Sequence, residues 1–197
     1  MMQSNIKIAI AGGICSGKST VANIIREQGY KVISCDEIYT ELLTDTNFIK
    51  LLDNEFGCVE NTDGTLNRTR LSEIVFNDSE KLRKLNLITH PKIMQKAMAQ
   101  MTGEGIHFCE VPLLFENGFE KLFDSAIVVL RDEAERAKVL IERNGIDRKQ
   151  AILRIKSQFD YQNNSYIEYY VIDNNTNLLD LRSKTLNVLE KITKQYN

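Results

Sequence analysis

The sequence predicts an α/β fold in which a parallel sheet of five strands carries helices on both faces. Short, apolar, β-branched runs alternate along the chain with longer stretches of helical periodicity. Parallel strands need long crossover connections, and helices usually provide them. No repeat, low-complexity tract or flexible linker divides the 197 residues, so we expect a single domain over residues 1–197.

The first part of the chain opens with a strand, a sharp turn and a helix. Ile6–Ala11 has the sequence IKIAIA, a short β-branched apolar run. Ser19–Gln28 has helical spacing and stops at Gly29, a residue that readily ends a helix in the left-handed conformation. Tyr30–Ser34 is the second expected strand. Short helices are expected over Asp36–Leu43 and Asn47–Phe56.

Residues 71–101 and the rest of the chain continue the alternation. Apolar residues recur there at helical spacing, with a polar break near Asn77 that indicates two helices. The second of them should be interrupted or kinked at His90-Pro91, because proline lacks an amide proton. Asn144-Gly145 separates two stretches that should pair as a helical hairpin. Strands are then expected at Ile106–Val111, Ser125–Leu130 and Tyr169–Ile172, and helices at Glu133–Arg143, Asp147–Phe159 and Leu178–Lys194.

The composition is that of an ordinary globular protein. The chain is 43% hydrophobic and 26% charged, and its length suffices to bury a core without disulfides or a structural metal. Intrinsic disorder and fibrous architectures are excluded. The net charge of −2 gives no general attraction to nucleic acids or anionic membranes, so we expect neither as a partner.

Cysteine use and the first residues indicate a soluble, cytoplasmic protein. The four cysteines are scattered and form no CxxC pair or ligand-like cluster, which is typical of reduced thiols. The start lacks the basic and apolar regions of a secretory signal, and no apolar run approaches the roughly 20 residues of a membrane span. The oligomeric state stays open between a monomer and a weak homo-oligomer.

The segment GGICSGKST carries the clearest chemical signal. Read from Gly12, it fits GxxxxGK[ST] and lies between a strand and a helix, as a phosphate-binding loop requires. Its glycines let successive N–H groups converge on a phosphate, and the helix N-terminus adds positive partial charge. Lys18 would pair with the β- and γ-phosphates, and the Ser19 hydroxyl would ligate Mg²⁺. A nucleoside triphosphate is expected on Gly13, Ile14, Cys15, Ser16, Gly17, Lys18, Ser19 and Thr20.

The features that accompany the loop narrow the reaction class. A GTPase would carry an [NT]KxD motif after a late strand, and the sequence has none. A large ATP-driven motor would need a longer chain. Small size together with an arginine-bearing helical hairpin favours a kinase that acts on a small molecule.

Two carboxylates stand at strand ends, where parallel sheets form their ligand-binding crevice. Asp36 follows the second strand and could take the proton of an attacking hydroxyl or, equally well, cap the next helix. Glu110 ends the third strand and could hold a Mg²⁺-bound water, approach the acceptor, or face solvent. Leu113 and Leu114 would form an apolar wall beside it.

Arginines are concentrated in the expected hairpin, which could close as a lid over a triphosphate and exclude water. Each arginine alone is more often part of a solvated charged face, but we expect at least one to be functional. Neither His90 nor His107 lies in a pattern typical of a metal or catalytic site. The arginines are Arg131, Arg136, Arg143, Arg148 and Arg154.

Taken in order, the motifs resemble those of the dephospho-CoA kinase family. They are AGGICSGKSTVA, VISCDEIY, GTLNRTRLSEIVF, LITHPKI, VPLLFE, IERNG and YVIDNN. The first would fit any P-loop kinase, whereas the third, fourth and fifth together are much more specific. The resemblance implies a P-loop kinase fold with a helical acceptor-binding insertion at about residues 58–102 and a helical-hairpin lid at about 131–159.

The resemblance also implies the reaction and its residues. The family transfers the γ-phosphoryl group of ATP to the ribose 3′-hydroxyl of dephospho-CoA with Mg²⁺, the last step of coenzyme A synthesis. Asp36 matches the family's general base, and of its two possible roles, proton acceptor or helix cap, the resemblance favours the first. Arg143 matches the family's lid arginine. Asp36, Lys18 and Arg143 are thus the expected catalytic residues. Acceptor binding is expected at Asp36, Arg68, His90, Pro91, Glu110, Leu113 and Leu114.

Several positions depart from the family pattern. Ser34-Cys35 replaces the first two residues of the family's DAD, so any auxiliary role of the first acid is absent. Glu110 stands where the family usually has Asp, which is one methylene shorter. Cys15 replaces the usual Gly in the phosphate loop, a position that tolerates a small side chain if its φ is negative. Arg136 and Val139 occupy positions where the family tends to have Gln and Arg.

Two other functions stay open at the level of the sequence. A kinase for another nucleotide or nucleoside would share the core and differ in its acceptor pocket, although GTLNRTRL and THPKI resemble the dephospho-CoA kinases. A non-catalytic nucleotide-binding switch would leave Asp36 and the arginine-bearing hairpin without a task. Its ATP turnover would not depend on a small acceptor.

Overall fold

The computed structural model describes residues 5–162, 164, 166 and 168–196. Its strands are β1 (Asn5–Ala11), β2 (Val32–Ser34), β3 (Gly105–Glu110), β4 (Ser125–Leu130) and β5 (Tyr170–Asp173). Its α-helices are α1 (Lys18–Glu27), α2 (Cys35–Leu42), α3 (Thr46–Phe56), α4 (Arg68–Phe76), α5 (Ser79–Gln100), α6 (Glu133–Asn144), α7 (Arg148–Lys156) and α8 (Leu178–Tyr196). Every predicted element is present, with ends shifted by a few residues at most.

The five strands form one sheet in the order β2-β3-β1-β4-β5. β1 pairs in parallel with β3 on one side and with β4 on the other, and β4 pairs in parallel with β5. Residues 8–11 of β1 are all fully buried. Because successive side chains point to opposite faces of a strand, both faces of the sheet are covered at its centre. The predicted α/β fold class is confirmed.

The chain divides into two compact units, one of Met1–Ile33 with Met101–Asn197 and the other of Ser34–Gln100. In the first unit, α1 and α8 pack together on the sheet. Their apolar side chains form a buried core with β1, which includes Ile8, Ile10, Val21, Ile25, Leu189 and Ile192. The second unit begins at Ser34, ahead of the insertion expected at about residue 58. The single domain over residues 1–197 stays a prediction.

The second unit is helical, and its longest element is α5. The predicted break near Asn77 is confirmed, since α4 ends at Phe76 and α5 begins at Ser79. The predicted interruption at His90-Pro91 is wrong, because α5 continues through Pro91 as one helix, and the alternative of a kink there stays a prediction. Proline removes one backbone hydrogen bond, but α2 and α4 both pack on α5, and burial of its Leu85 and Met94 outweighs that loss.

Ser34 caps the first helix of this unit. Its Oγ accepts a hydrogen bond from the Glu37 amide at 3.2 Å and so satisfies one of the free N–H groups at the start of α2. Asp36 lies inside the first turn, where it is exposed and its charge favours the positive end of the helix. The N-cap role considered for Asp36 is therefore wrong, and the capping residue is Ser34.

The predicted hairpin is formed by α6 and α7. Gly145 ends α6 in the left-handed conformation, with a φ of 63°. Asp147 caps α7 by accepting a hydrogen bond from the Gln150 amide at 2.8 Å. Between the two helices lies a small buried core of Ala137, Leu140, Ala151 and Ile155. The hairpin thus has an apolar interior of its own.

Two further observations concern the chain as a whole. Among the helices in the described ranges, none combines the length and the apolar character that a membrane span requires. No disulfide joins the four cysteines, all of which fall within the described residues. Cys35 and Cys109 are buried, Cys15 is half-buried and Cys58 is exposed.

Replacing Ser34 by Ala should lower the free energy of unfolding by about 1 kcal/mol, because the Glu37 amide loses its cap. Urea denaturation would measure the difference. Ser183→Ala, an exposed serine inside α8, is the matched control and should be neutral or slightly stabilising. A loss with Asp36→Ala and none with Ser34→Ala would contradict the assignment of the cap.

Candidate active site

The phosphate loop connects β1 to α1. β1 ends at Ala11 and α1 begins at Lys18, with Gly17 as the residue before the helix. Gly17 has a φ of 103° and brings no side chain to cap the helix. The first N–H groups of α1 can therefore serve an anionic ligand, to which the helix also presents its positive end.

Steric contacts explain two of the loop's glycines. A Cβ on Gly12, whose φ is 147°, would lie 2.4 Å from the carbonyl oxygen of Val129. A Cβ on Gly17 would lie 2.3 Å from the side-chain amide nitrogen of Asn174. Both distances are shorter than real contacts allow. At Gly12 the obstacle is main chain, which leaves no room for a side chain, and at Gly17 the φ of 103° adds strain for any other residue.

Cys15 does not meet the condition that the sequence set for it. Its φ is 59°, in the left-handed region, whereas the position was expected to tolerate a small side chain if its φ were negative. A side chain in this region carries strain on the order of 1 kcal/mol or more. Ile14 and Cys15 pack against the apolar core of the α6–α7 hairpin, and this burial offsets the strain. Apolar contacts thereby hold the phosphate loop against the hairpin.

The Lys18 side chain folds back over the loop. Its Nζ donates hydrogen bonds to the carbonyl oxygens of Gly12 at 2.8 Å and Gly13 at 3.0 Å. The ammonium group is thus held at the rim of the loop by two neutral acceptors. Phosphate oxygens could compete for the same donor, and charge would favour them.

Ser19 and Glu110 meet beside the loop. The Ser19 Oγ donates to Glu110 Oε1 at 2.6 Å, and Glu110 is only 6% exposed. The solvent-facing alternative for Glu110 is therefore wrong. A hydroxyl and a carboxylate are the oxygen ligands that Mg²⁺ prefers, usually completed by water and phosphate. No group of three or more His, Cys, Asp or Glu residues that could hold a metal occurs among the described residues.

Asn174 contacts the phosphate loop, although nothing in the sequence indicates this role. Its side-chain amide donates to the Ser16 carbonyl at 2.7 Å, and its backbone N–H donates to Leu130. Ser16 is 1% exposed, and its Oγ has no hydrogen-bond partner within the described part of the chain. The motif YVIDNN contains Asn174, but only the three-dimensional arrangement shows that this residue supports the phosphate loop.

Arg136 is the hairpin arginine that reaches the phosphate loop. Its Nε donates to the Ile14 carbonyl at 2.9 Å, and the side chain is 4% exposed. Burial lowers the pKa of the guanidinium below its usual value, although nearby Cys15 and Glu133 oppose this shift. Gln158 accepts a hydrogen bond from the Ile14 amide at 2.6 Å. Gln158 lies within the predicted helix Asp147–Phe159, and no motif in the sequence indicates its contact with the loop.

The other hairpin arginines lie in different surroundings. Arg143, the expected lid arginine, is exposed, and its Nε donates to the side chain of Asn144 at 2.9 Å. Arg131 forms an ion pair with Glu135 at 3.6 Å. Arg148 and Arg154 are exposed on α7. The catalytic role of Arg143 stays a prediction.

An aromatic cluster fastens the segment after the hairpin. The Phe115 ring lies 5.3–5.9 Å from four other rings, those of Phe159, Tyr161, Tyr166 and Tyr169. The Tyr161 hydroxyl donates to Glu116, and burial raises its pKa well above the usual range. Burial also raises the pKa of Tyr166 to about 12. The cluster therefore stays neutral at physiological pH and acts by packing.

The loop after β3 contains the two leucines expected beside the acceptor. Leu114 is fully buried, and Leu113 is half-buried with a φ of 58°. Leu114 accordingly belongs to the core. The apolar wall that the two were expected to form stays a prediction.

The remaining predicted residues belong to the second unit. Asp36 is exposed in the first turn of α2, Arg68 begins α4, and His90 and Pro91 lie within α5. Burial raises the pKa of Tyr39, and the charge of Arg68 partly offsets this shift. Arg68 therefore lies close enough to the Tyr39 hydroxyl to act on it electrostatically.

Comparisons with known proteins agree with this arrangement. A model of the family described as "Dephospho-CoA kinase" matches residues 6–180. A dephospho-CoA kinase of Fusobacterium nucleatum is 37% identical, over 94% of this chain and 97% of its own. One from Carboxydothermus hydrogenoformans is 36% identical, over 93% of both chains.

The solved structures include the dephospho-CoA kinase of Campylobacter jejuni. It superimposes with a TM-score of 0.72 at 29% identity, covering 97% of this chain and 98% of its own. The family match extends over most of the sequence and includes the phosphate loop, Asp36, Glu110 and the hairpin. On these grounds, this chain belongs to the dephospho-CoA kinase family.

Proposed function

We propose that the protein transfers the γ-phosphoryl group of ATP to the ribose 3′-hydroxyl of dephospho-CoA, which yields coenzyme A and ADP. The observation that carries the proposal is the family match over residues 6–180. It includes a phosphate loop whose lysine, serine and glycines have the surroundings that a bound triphosphate needs. We expect the protein to act in the cytoplasm, as a monomer or a weak homo-oligomer.

Binding of ATP falls to the loop and the first turn of α1. The Lys18 ammonium group would exchange the carbonyls of Gly12 and Gly13 for β- and γ-phosphate oxygens. The first amides of α1 add partial positive charge to the same place. The protein thus supplies position and charge for an in-line transfer, which needs little covalent chemistry from side chains.

Ser19 and Glu110 are the residues that would hold Mg²⁺. Their oxygens already lie 2.6 Å apart, and both are ligands of the kind that this cation selects. When bound with ATP, Mg²⁺ neutralises charge on the phosphates. Glu110 can act directly or through a water molecule, and its burial keeps the carboxylate in one place.

Asp36 is proposed as the general base. As a carboxylate in the first turn of α2 it is exposed, so an acceptor hydroxyl can reach it. Ser34 already caps the helix, which leaves the Asp36 side chain available for the acceptor. The acceptor would also contact Arg68, His90, Pro91, Leu113 and Leu114, and Arg143 would neutralise charge that develops on the transferred group.

The activity can be tested by measuring ADP release from Mg-ATP with dephospho-CoA, AMP, CMP, pantothenate or no acceptor. We expect turnover with dephospho-CoA alone, with coenzyme A as the product, and loss of most of it in Lys18→Ala. Preference for a nucleoside monophosphate would exclude this family's reaction. Equal slow hydrolysis under every condition would favour a nucleotide-dependent switch.

Asp36→Asn should lower kcat by about 10²-fold or more, because an amide cannot take the proton of the acceptor hydroxyl. Steady-state rates at saturating ATP and dephospho-CoA would measure the loss. Thermal unfolding should be nearly unchanged, since the cap of α2 is Ser34. Glu37→Gln, the exposed neighbour, is the control and should keep the wild-type kcat. Near-normal turnover in Asp36→Asn would remove Asp36 from the mechanism.

Glu110→Gln should raise the Mg²⁺ concentration that gives half-maximal activity by about tenfold or more, because a neutral amide holds the cation less strongly. A titration of rate against Mg²⁺ at fixed ATP would measure the change. The matched control is Glu104→Gln, an exposed glutamate just before β3. An unchanged Mg²⁺ dependence in Glu110→Gln would exclude Glu110 from the metal site.

A further inference from the structure

The main chain of Ile14 is held on both sides by side chains from the hairpin region. Its carbonyl accepts from Arg136 Nε at 2.9 Å, and its N–H donates to Gln158 Oε1 at 2.6 Å. Arg136 Nη2 lies 3.4 Å from the same Gln158 oxygen. The three groups form a closed triangle, so a shift of any one of them breaks at least one hydrogen bond.

The triangle lies directly against the phosphate loop. A Cβ built on Gly13 would be 2.4 Å from Arg136 Nη2 and 2.6 Å from its Cζ. The guanidinium therefore occupies the space that a side chain at position 13 would need. Gly13 is adjacent to Ile14, and its carbonyl is one of the two that hold Lys18.

Burial and further contacts restrain the side chains that hold Ile14. Arg136 is 4% exposed on α6, and Gln158 follows α7, where its own N–H bonds to Ile155. The side chains of Ile14 and Cys15 pack on the apolar core between these helices. Two hydrogen bonds and an apolar contact thus connect the hairpin to the loop.

We propose that Arg136 and Gln158 are positioning residues that lock the Ile14 peptide to the α6–α7 hairpin, so that the loop's affinity for ATP depends on this lock. Without it, the loop would have to order itself on binding, which lowers affinity. Losing these contacts should weaken binding of ATP and leave binding of the acceptor unchanged. The inference rests on the proposed binding of ATP to this loop.

The first experiment tests whether the hydrogen bond that Gln158 accepts from the Ile14 N–H, rather than the bulk of the side chain, supports ATP binding. Gln158→Leu removes the acceptor of the Ile14 N–H, and we expect the Kd for Mg-ATP, measured by calorimetry, to rise about tenfold. Gln158→Glu keeps an oxygen in that position and should restore the Kd to within about threefold of the wild type. The KM for dephospho-CoA and kcat should change by less than about threefold in both.

The second experiment separates the geometry of Arg136 from its charge. Arg136→Lys keeps the charge but lacks the planar fork that spans Ile14 and Gln158, so we expect the Kd for Mg-ATP to rise about tenfold here too. Arg182→Gln removes an exposed arginine from an ion pair with Glu27 on the protein surface. This control should bind ATP as the wild type does.

Hydrogen exchange of the nucleotide-free protein gives a readout that does not depend on activity. Peptides that contain Ile14 should exchange faster in Gln158→Leu and Arg136→Lys, and at the wild-type rate in Gln158→Glu and Arg182→Gln. Wild-type ATP affinity in Gln158→Leu and Arg136→Lys, or unchanged exchange at Ile14, would overturn the proposal. If the wild type itself bound no Mg-ATP, the proposed function would fail, and exchange at Ile14 would still decide whether the lock exists.

Discussion

The close approach of a neighbouring carbonyl group and of a neighbouring side-chain amide to the phosphate loop constrains the rest of the site. Val129 of β4 leaves no room for a side chain at Gly12, and Asn174 leaves none at Gly17. This proximity requires β4 to lie in parallel beside β1, and β5 in parallel beside β4, which fixes where α1 begins and where its first amides point. The arrangement of the sheet therefore determines where the phosphate loop can bind a polyanion through main-chain groups.

Much of this architecture is encoded locally and could be predicted. The β-branched runs, the hairpin turn at Gly145 and the glycine–lysine–serine pattern are properties of consecutive residues. The contacts around the loop depend on residues far apart in the chain. Glu110 is 91 positions from Ser19, and Asn174 is 158 positions from Ser16. The periodicity of a sequence does not predict contacts between such distant residues, so only the structure shows the burial of Glu110 and the contact made by Asn174.

At three further places in the chain, the preferences of consecutive residues alone do not determine the structure. Ser34 and Asp36 are both good helix caps, and the choice between them depends on which residue precedes the first helical turn. Pro91 would break an isolated helix, yet the packing of α2 and α4 on α5 keeps that helix continuous. Cys15 has a positive φ, which is strained for a residue with a side chain, and its apolar contact with the hairpin offsets that strain. At Pro91 and Cys15, tertiary packing outweighs a local preference.

The order of the strands also has a consequence for biosynthesis. Lys7 of β1 lies opposite His107 of β3, and Ile8 lies opposite Ser125 of β4. β1 therefore leaves the ribosome long before either of its neighbours, which begin at residues 105 and 125. Contacts between distant residues form slowly, and an apolar strand that waits for its partners is prone to aggregate. The delay is shorter for α2, α4 and α5, because these packed helices all lie within residues 34–100.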